Sequence, residues 1–326
     1  MKNNMDVTLA ICVYNAEKYI VETLKSVMNQ TFQGFNLLIV DDSSTDRSVV
    51  LMERFFQENP RQYELVRFDE NRGIGYARHF AERHAKTKYM MFLDSDDILY
   101  PIAVENMYAK IKSDDDLMAV GCYLEYIDER GKKLGGGLFL GEKDKEDFYK
   151  KAEKGKLIFM QPTAIYDRDV ALSVGGYVID GYPEGKPRYQ DYCEDLDLWT
   201  RMSDLYVEGK AIVVVPEVLC KYRKGGGLSS STFYMSIKMR YTKTNVRRRR
   251  RGEKDLTFVE FYVGLSAEEL KGLRRDAAAA DALRNAVFYL RRGNVVMFVW
   301  LVLNSIWYKP AYIWNKVRHN LVRKYF

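Results

Sequence analysis

The stretch YMMFLDSDD, residues 89–97, decides how this chain is read. Five apolar residues run directly into the carboxylates Asp94, Asp96 and Asp97. A short unbroken apolar run of this kind suits a strand buried on both faces, as in a parallel sheet covered by helices. Acids at the end of such a strand fall where open α/β sheets bind their ligands.

The same device recurs upstream, where FNLLIV (35–40) runs into Asp41 and Asp42. Around these two stretches, apolar strands at 7–13 and 63–68 alternate with helical patterns at 16–29, 47–57 and 75–85. Such alternation predicts an α/β fold, a mostly parallel sheet flanked by helices. Downstream, strands are expected at 117–126 and 133–140 around the turn Asp128-Glu129-Arg130-Gly131, then a polar helix at 144–154. The segment 177–192, rich in Gly, Pro and Tyr, reads as a loop beside a substrate. A helix at 194–206 and a strand at 211–215 follow. Beyond Gly225-Gly226-Gly227 the pattern is helical, with helices at 256–263, 267–292 and 295–307. The expectation is a catalytic domain over 1–228 and a basic helical region over 229–326, with no internal repeat.

Three acidic clusters are candidates for chemistry: Asp41-Asp42, Asp94-Ser95-Asp96-Asp97, and Glu194-Asp195 at the start of a helix. The second suits a hard cation such as Mg²⁺ or Mn²⁺, which takes one or two carboxylates together with substrate phosphates. Each cluster also has a plain structural reading. Asp96 or Asp97 serves to cap the helix that begins near Pro101. Asp42-Ser43-Ser44-Thr45 is a good turn and cap sequence. Glu194 and Asp195 are first-turn carboxylates favoured by the helix dipole.

The clusters gain meaning in combination. Cys12-Val13-Tyr14-Asn15, Gln30-Thr31-Phe32, IVDDSSTD, Asn71-Arg72-Gly73 with Ala77-Arg78, FLDSDD, CEDLDLWTR and Tyr222-Arg223 follow one another in order. Together they resemble the inverting family-2 glycosyltransferases of GT-A fold, of the bacterial cell-surface polysaccharide type. The resemblance covers roughly residues 5–225. It implies that Tyr14 stacks on the nucleotide base, Asp42 hydrogen-bonds it, and Arg78 lies near the nucleotide. Asp94 would sit near the ribose, and Asp96 would bind the Mn²⁺ or Mg²⁺ that bridges the donor's phosphates. Asp195 would be the general base for the acceptor hydroxyl. Cys12, Asn15 and Ser95 flank these positions and join the nucleotide-sugar set, and Glu194, Asp97, Arg223 and Lys224 complete the candidate site. The implied donor is a UDP-sugar and the implied acceptor a glycan or lipid-linked saccharide. Two departures from the family stand out. His79 occupies a position where Asn is frequent, and Lys224 follows Tyr222-Arg223 where His is frequent. Lys224 is a candidate phosphate contact, unless this loop orders only when donor is bound.

Charge and cysteines narrow the setting. The net charge of +6 is unevenly placed. From Lys238 onward there are 20 Lys/Arg against 7 Asp/Glu, leaving 31 against 38 before it. An acidic body with a basic end suggests an anionic partner for that end. Cys12, Cys122, Cys193 and Cys220 form no CxxC pair and read as reduced thiols. Because the first residues lead into a strand without an apolar signal region, a cytoplasmic chain is expected.

The arginine run 247–251 reads in isolation as a solvated helix end or linker. Further on, VVMFVWLVL (295–303) precedes Ile306, Trp307, Tyr308, Tyr312, Ile313 and Trp314, with Lys309, Lys316, Arg318, Arg323 and Lys324 interspersed or following. The apolar run falls short of the ~20 residues of a membrane span. Rings and basic residues in this order fit an interfacial anchor on an anionic membrane, at the inner face of the cytoplasmic membrane. A buried core helix or a homodimer helix is the alternative. Among other functions, dinucleotide binding is disfavoured because the first βα turn, Tyr14-Asn15-Ala16-Glu17, lacks GxGxxG. Nucleic-acid binding is not expected, since acidic strand ends repel a phosphate backbone and the tail carries no known binding motif. A catalytically inactive glycosyltransferase-like scaffold is the remaining alternative, and the presence of Asp96 and Asp195 argues against it.

Overall fold

The computed structural model describes residues 5–225, 231–291 and 293–311. Strands β1 (Val7–Val13), β2 (Phe35–Asp41), β3 (Glu64–Arg67) and β4 (Tyr89–Asp94) alternate with helices α1 (Ile20–Met28), α2 (Ser48–Glu58) and α3 (Ile74–His84). There follow β5 (Ile98–Leu99), α4 (Ala103–Lys112), β6 (Leu117–Ile127), β7 (Lys133–Leu138), α5 (Lys145–Glu153), β8 (Ile165–Asp167) and α6 (Arg168–Ser173). Then come α7 (Glu194–Met202), β9 (Ala211–Arg223), α8 (Thr232–Arg249), α9 (Phe258–Val263), α10 (Ala267–Arg291) and α11 (Val295–Tyr308). The expected α/β architecture is present.

The strands form one sheet in the order β3-β2-β1-β4-β8-β6-β9-β5, with β7 on β6. The β3-β2-β1-β4 half is parallel throughout. Beyond it the sheet is mixed, because β8 is antiparallel to both β4 and β6 while β6 and β9 run parallel. Every residue of β1 is buried, as a central strand covered on both faces requires. The chain leaves β1 towards β2 and β3 and returns on the other side as β4, which opens a crevice at the carboxyl ends of these strands. Register places the acids there: Val13 pairs with Asp41, and Cys12 pairs with Asp94.

Several boundaries differ from expectation for local reasons. Helix α1 starts at Ile20 rather than 16, because the N–H groups of Asn15, Ala16 and Glu17 donate to Ser44, Ser48 and Asp46 instead of opening a helix. The strand expected over 211–215 continues to Arg223. It accommodates Pro216 at an irregularity where the pairing jumps from Val215 to Val218. The helix expected over 194–206 is α-helical only to Met202, and a 3₁₀ turn spans Ser203–Glu208.

The chain divides into two compact units, one from the described residues of Met1–Gly227 with Thr242–Asp255, the other from those of Leu228–Tyr241 with Leu256–Phe326. The arginine run shows why 242–255 belongs to the first. Arg249 donates to Asp204 and, at 2.6 Å, to Asp255. Arg250 reaches Asp204 at 2.9 Å and the Ala152 carbonyl at 2.9 Å, with its guanidinium over the Tyr206 ring. The run lies at the end of α8, as one half of the sequence reading had it, but it is not wholly solvated, since part of it is bound to acids of the first unit. In the second unit, Ser305 of α11 donates to the Ala279 carbonyl of α10 at 2.8 Å. No helix of the described residues is long and apolar enough to cross a membrane. Tyr312, Ile313, Trp314, Lys316, Arg318, Arg323 and Lys324, like Gly226 and Gly227, lie outside the described residues.

Because Arg249 sits between two acids and Arg247 makes no ion pair among the described residues, their removal should differ. Arg249→Ala should cost roughly 1–3 kcal/mol, the penalty for leaving partly buried charges unmatched. Arg247→Ala should stay within about 0.5 kcal/mol. Paired urea titrations check this, and equal losses would show that the Arg249 contacts are not what holds the segment.

Candidate active site

The floor of the crevice is the end of β1. Cys12 is buried, and burial pushes its thiol up to about 12, so it is no nucleophile. Tyr14 is half exposed and open for stacking. Asn15 takes a left-handed backbone (φ 49) and its Oδ1 accepts from the N–H groups of Thr45, at 2.9 Å, and Asp46. The two loops after β1 and β2 are thereby fixed together.

Asp42 is buried, but it caps no helix: α2 begins at Ser48 without a side-chain cap. Its carboxylate instead organises the loop after β3. It accepts from Asn71 Nδ2 at 2.7 Å, Arg72 N at 2.6 Å and Gly73 N at 2.8 Å. Burial nevertheless raises its pKa, and those two N–H groups pull the other way.

That loop leads into α3, which presents Arg78. The guanidinium is buried between two acids, with Nη2 at 2.6 Å from Asp94 and Nη1 at 2.5 Å from Glu194. Arg78 is thus committed to joining the end of β4 to the start of α7. Its Nε has no hydrogen-bond partner among the described residues.

The two remaining acids of the β4 cluster diverge. Asp97 does not cap α4, which starts at Ala103 with no side-chain cap. It is buried and accepts the Arg223 N–H at 2.9 Å, fixing the end of β9, and burial with the charges of Asp94 and Asp96 drives its pKa well up. Asp96 has no side-chain partner among the described residues. Burial, then the Asp94 charge, raise its pKa to about 6. Ser95 contributes its carbonyl to the Thr23 hydroxyl at 3.0 Å.

A carboxylate that gains from neutralisation, beside a second one, is a fitting donor set for a hard cation held partly by substrate oxygens. Among the described residues no three His, Cys, Asp or Glu side chains gather into a complete cage. Arg223 donates to the Asp96 carbonyl at 2.9 Å and to Glu22 at 2.6 Å, with its guanidinium over the Tyr19 ring. Lys224 lies over the Tyr126 and Tyr222 rings.

Opposite, Glu194 and Asp195 occupy the first turn of α7, where the helix dipole favours negative charge. Cys193 before them is held in the left-handed region (φ 51). Burial raises Glu194 to about 8, and raises Asp195 as well, with Arg78 opposing in both cases. Asp195 has no side-chain partner among the described residues, so its carboxylate is available as a proton acceptor.

Two residues escaped the sequence reading. Asp191 Oδ1 accepts the Gly75 N–H at 2.9 Å, and Arg188 Nη1 donates to Asn71 Oδ1 at 2.5 Å. The only sequence signal for this contact is the pair Gly73 and Gly75. A Cβ would lie 2.3 Å from Asp191 Oδ2 at the first and 2.6 Å from the Gln190 carbonyl at the second.

The family model for glycosyl transferase family 2 matches residues 8–174. An uncharacterized glycosyltransferase of Haemophilus influenzae is 27% identical over 237 residues, covering 72% of this chain and 70% of that protein. The teichoic acid poly(glycerol phosphate) polymerase of Staphylococcus epidermidis is 39% identical over 112 residues, 34% of this chain but only 16% of the polymerase. Among solved structures, S. aureus TarS 1-349 in complex with UDP-GlcNAc superposes with a TM-score of 0.54 at 19% identity, covering 91% of this chain and 90% of that one. That likeness concerns the fold.

Asp191 yields a pH test. Burial raises its pKa to about 6, above the usual carboxylate range, so its contribution to stability is full at acid pH and is lost as pH rises through about 6. Asp191→Asn has no such loss. The stability of the variant relative to wild type should grow between about pH 4 and 6 and then level off, by up to about 3 kcal/mol. A difference independent of pH, in paired urea titrations, would show that Asp191 titrates normally.

Proposed function

The chain belongs to glycosyl transferase family 2, and from that premise we propose that it moves a sugar from a UDP-sugar to a hydroxyl of a glycan or lipid-linked acceptor, with inversion at the anomeric carbon. The observation that carries the reading is the placement of two unpaired acids at the ends of β4 and α7, which Arg78 joins through their neighbours. Asp96 stands at the end of β4 and Asp195 at the start of α7, both without a side-chain partner among the described residues.

In this reading Tyr14 stacks on the base, and the loop organised by Asp42 lies along the nucleoside. Asp96, with Asp94 beside it, would hold Mn²⁺ or Mg²⁺. When bound, that cation supplies positive charge against the departing diphosphate. Asp195 takes the proton from the acceptor hydroxyl as its oxygen attacks the anomeric carbon opposite the leaving UDP. Its raised pKa makes it a stronger base once ionised. Arg78 keeps Glu194, and with it the first turn of α7, in place.

Thermal melting with UDP and GDP, each with and without Mn²⁺, tests the donor assignment. A rise with UDP plus metal is expected, on the scale RT ln(1 + [L]/Kd). Asp96→Asn should abolish the metal-dependent part of that rise. Asp195→Asn should keep it while slowing UDP release from UDP-sugars by at least ~10²-fold. No rise with any nucleotide would instead favour a glycosyltransferase-like scaffold.

The second unit is assigned to an anionic membrane surface at the inner face of the cytoplasmic membrane. Helix α11 holds no charged residue, and Val296, Val299, Trp300, Leu303 and Trp307 are exposed. Lys309 is paired with Asp276 at 2.5 Å, and the sequence that follows, 310–326, contains Lys316, Arg318, Arg323 and Lys324 and no acid. A second copy would bring like charges together, whereas anionic lipid attracts them while rings and aliphatic side chains enter the interface. Val296→Glu with Trp307→Glu should therefore release the protein from phosphatidylserine vesicles in cosedimentation. Undiminished binding would place the anchor elsewhere, and a wild type that dimerises and ignores vesicles would give the face to a second copy.

A further inference from the structure

Resting on the transfer reading above, a second layer of the site lies in the segment 188–195, which ends in Asp195. We infer that Arg188 is a positioning residue. By gripping Asn71 it ties the nucleotide-side loop to the segment that carries the proton-accepting carboxylate, so the two are placed as one piece.

The contacts leave little freedom. The amide of Asn71 is held on both edges, its Nδ2 donating to Asp42 at 2.7 Å and its Oδ1 accepting from Arg188 at 2.5 Å. A second Arg188 nitrogen donates to the Asn71 carbonyl. Both groups of the fork thus grip one residue, a geometry that a guanidinium makes and an ammonium does not. Three residues later Asp191 takes the Gly75 N–H, and three further on Glu194 takes Arg78. Loop and segment also press together where Gly73 and Gly75 have no room for a methyl group against Asp191 and Gln190.

Between the second and third tethers the backbone passes through Cys193 in the left-handed region, which a non-glycine residue keeps only when its surroundings enforce it. A shift of the Asn71–Gly73 loop is therefore transmitted to the start of α7. A misplacement of about 1 Å at a reacting group is enough to cost ~10²-fold in rate. Asp42 still holds the loop from its other side when Arg188 is absent. Loss of Arg188 consequently falls on turnover more than on nucleotide affinity.

The experiment measures UDP release from UDP-GlcNAc, UDP-glucose and UDP-galactose with Mn²⁺, alongside UDP affinity, in wild type and two variants. Arg188→Ala should lower turnover by about tenfold or more without a matching loss of UDP affinity. Free guanidinium ion at a non-denaturing concentration should restore part of it, which a mere loss of folded protein would not allow. Gly75→Ala keeps every charge and a helical backbone but drives a Cβ towards the Gln190 carbonyl, and should reproduce the loss. Wild-type turnover in both folded variants overturns the inference. So does an Arg188→Ala defect that guanidinium leaves unchanged and Gly75→Ala does not share. A wild type that neither binds UDP with Mn²⁺ nor releases it defeats the transfer reading itself, and this inference with it.

Discussion

A guanidinium buried between two acids ties together the elements that carry them. Arg78 reaches Asp94 at the end of β4 and Glu194 at the opening of α7, acids a hundred residues apart in sequence. Removing Arg78 would leave both acids without their partner, a loss of roughly 3–5 kcal/mol for well-buried pairs. The fork is planar and rigid, so it sets a separation as well as an attraction. The two acids it holds are neighbours of Asp96 and Asp195. The distance between the proposed cation carboxylate and the proposed base is therefore set by one side chain from a third element, α3.

The rest of the crevice shows why such a clamp is needed. Its cations are already committed: Arg67 to Asp41, Arg78 to Asp94 and Glu194, Arg188 to Asn71, and Arg223 to Glu22 and the Asp96 carbonyl. Asp96 and Asp195 receive no such partner among the described residues, and burial raises the pKa of each. A folded chain keeps partly buried carboxylates in that state only at a cost in stability.

The sequence carried the fold because each strand of the parallel half is an apolar run and each run that matters ends in acids. Asp41-Asp42 and Asp94–Asp97 were located by that rule alone, and register brought them beside Cys12 and Val13. What local pattern could not supply was the destination of each side chain. Asp42 and Asp97 look like caps in their own neighbourhoods, yet they bind a loop about 30 residues away and the end of β9 about 126 residues away. Arg188 and Asp191 sit in a Gly-, Pro- and Tyr-rich stretch whose meaning depends on α3, more than a hundred residues earlier. The length of β9 was hidden by Pro216, which reads as a strand end unless an irregularity in its pairing is known.

Net charge misleads in the same way. The basic excess after Lys238 looks like one cationic surface, but it has two kinds of member. Arg249 and Arg250 are spent on Asp204, Asp255 and a backbone carbonyl, so they anchor the chain to its first unit and offer little to a partner. Of the cations after α11, Lys309 is likewise spent, on Asp276 at 2.5 Å, while Lys316, Arg318, Arg323 and Lys324 have no acid near them in sequence. A field that attracts an anionic surface arises from charge left unneutralised at close range, within about a Debye length of 8 Å in physiological salt. The attraction proposed for the basic end is therefore assigned to Lys316, Arg318, Arg323 and Lys324, which follow the exposed Trp300 and Trp307 in sequence, and not to the five arginines that first draw the eye.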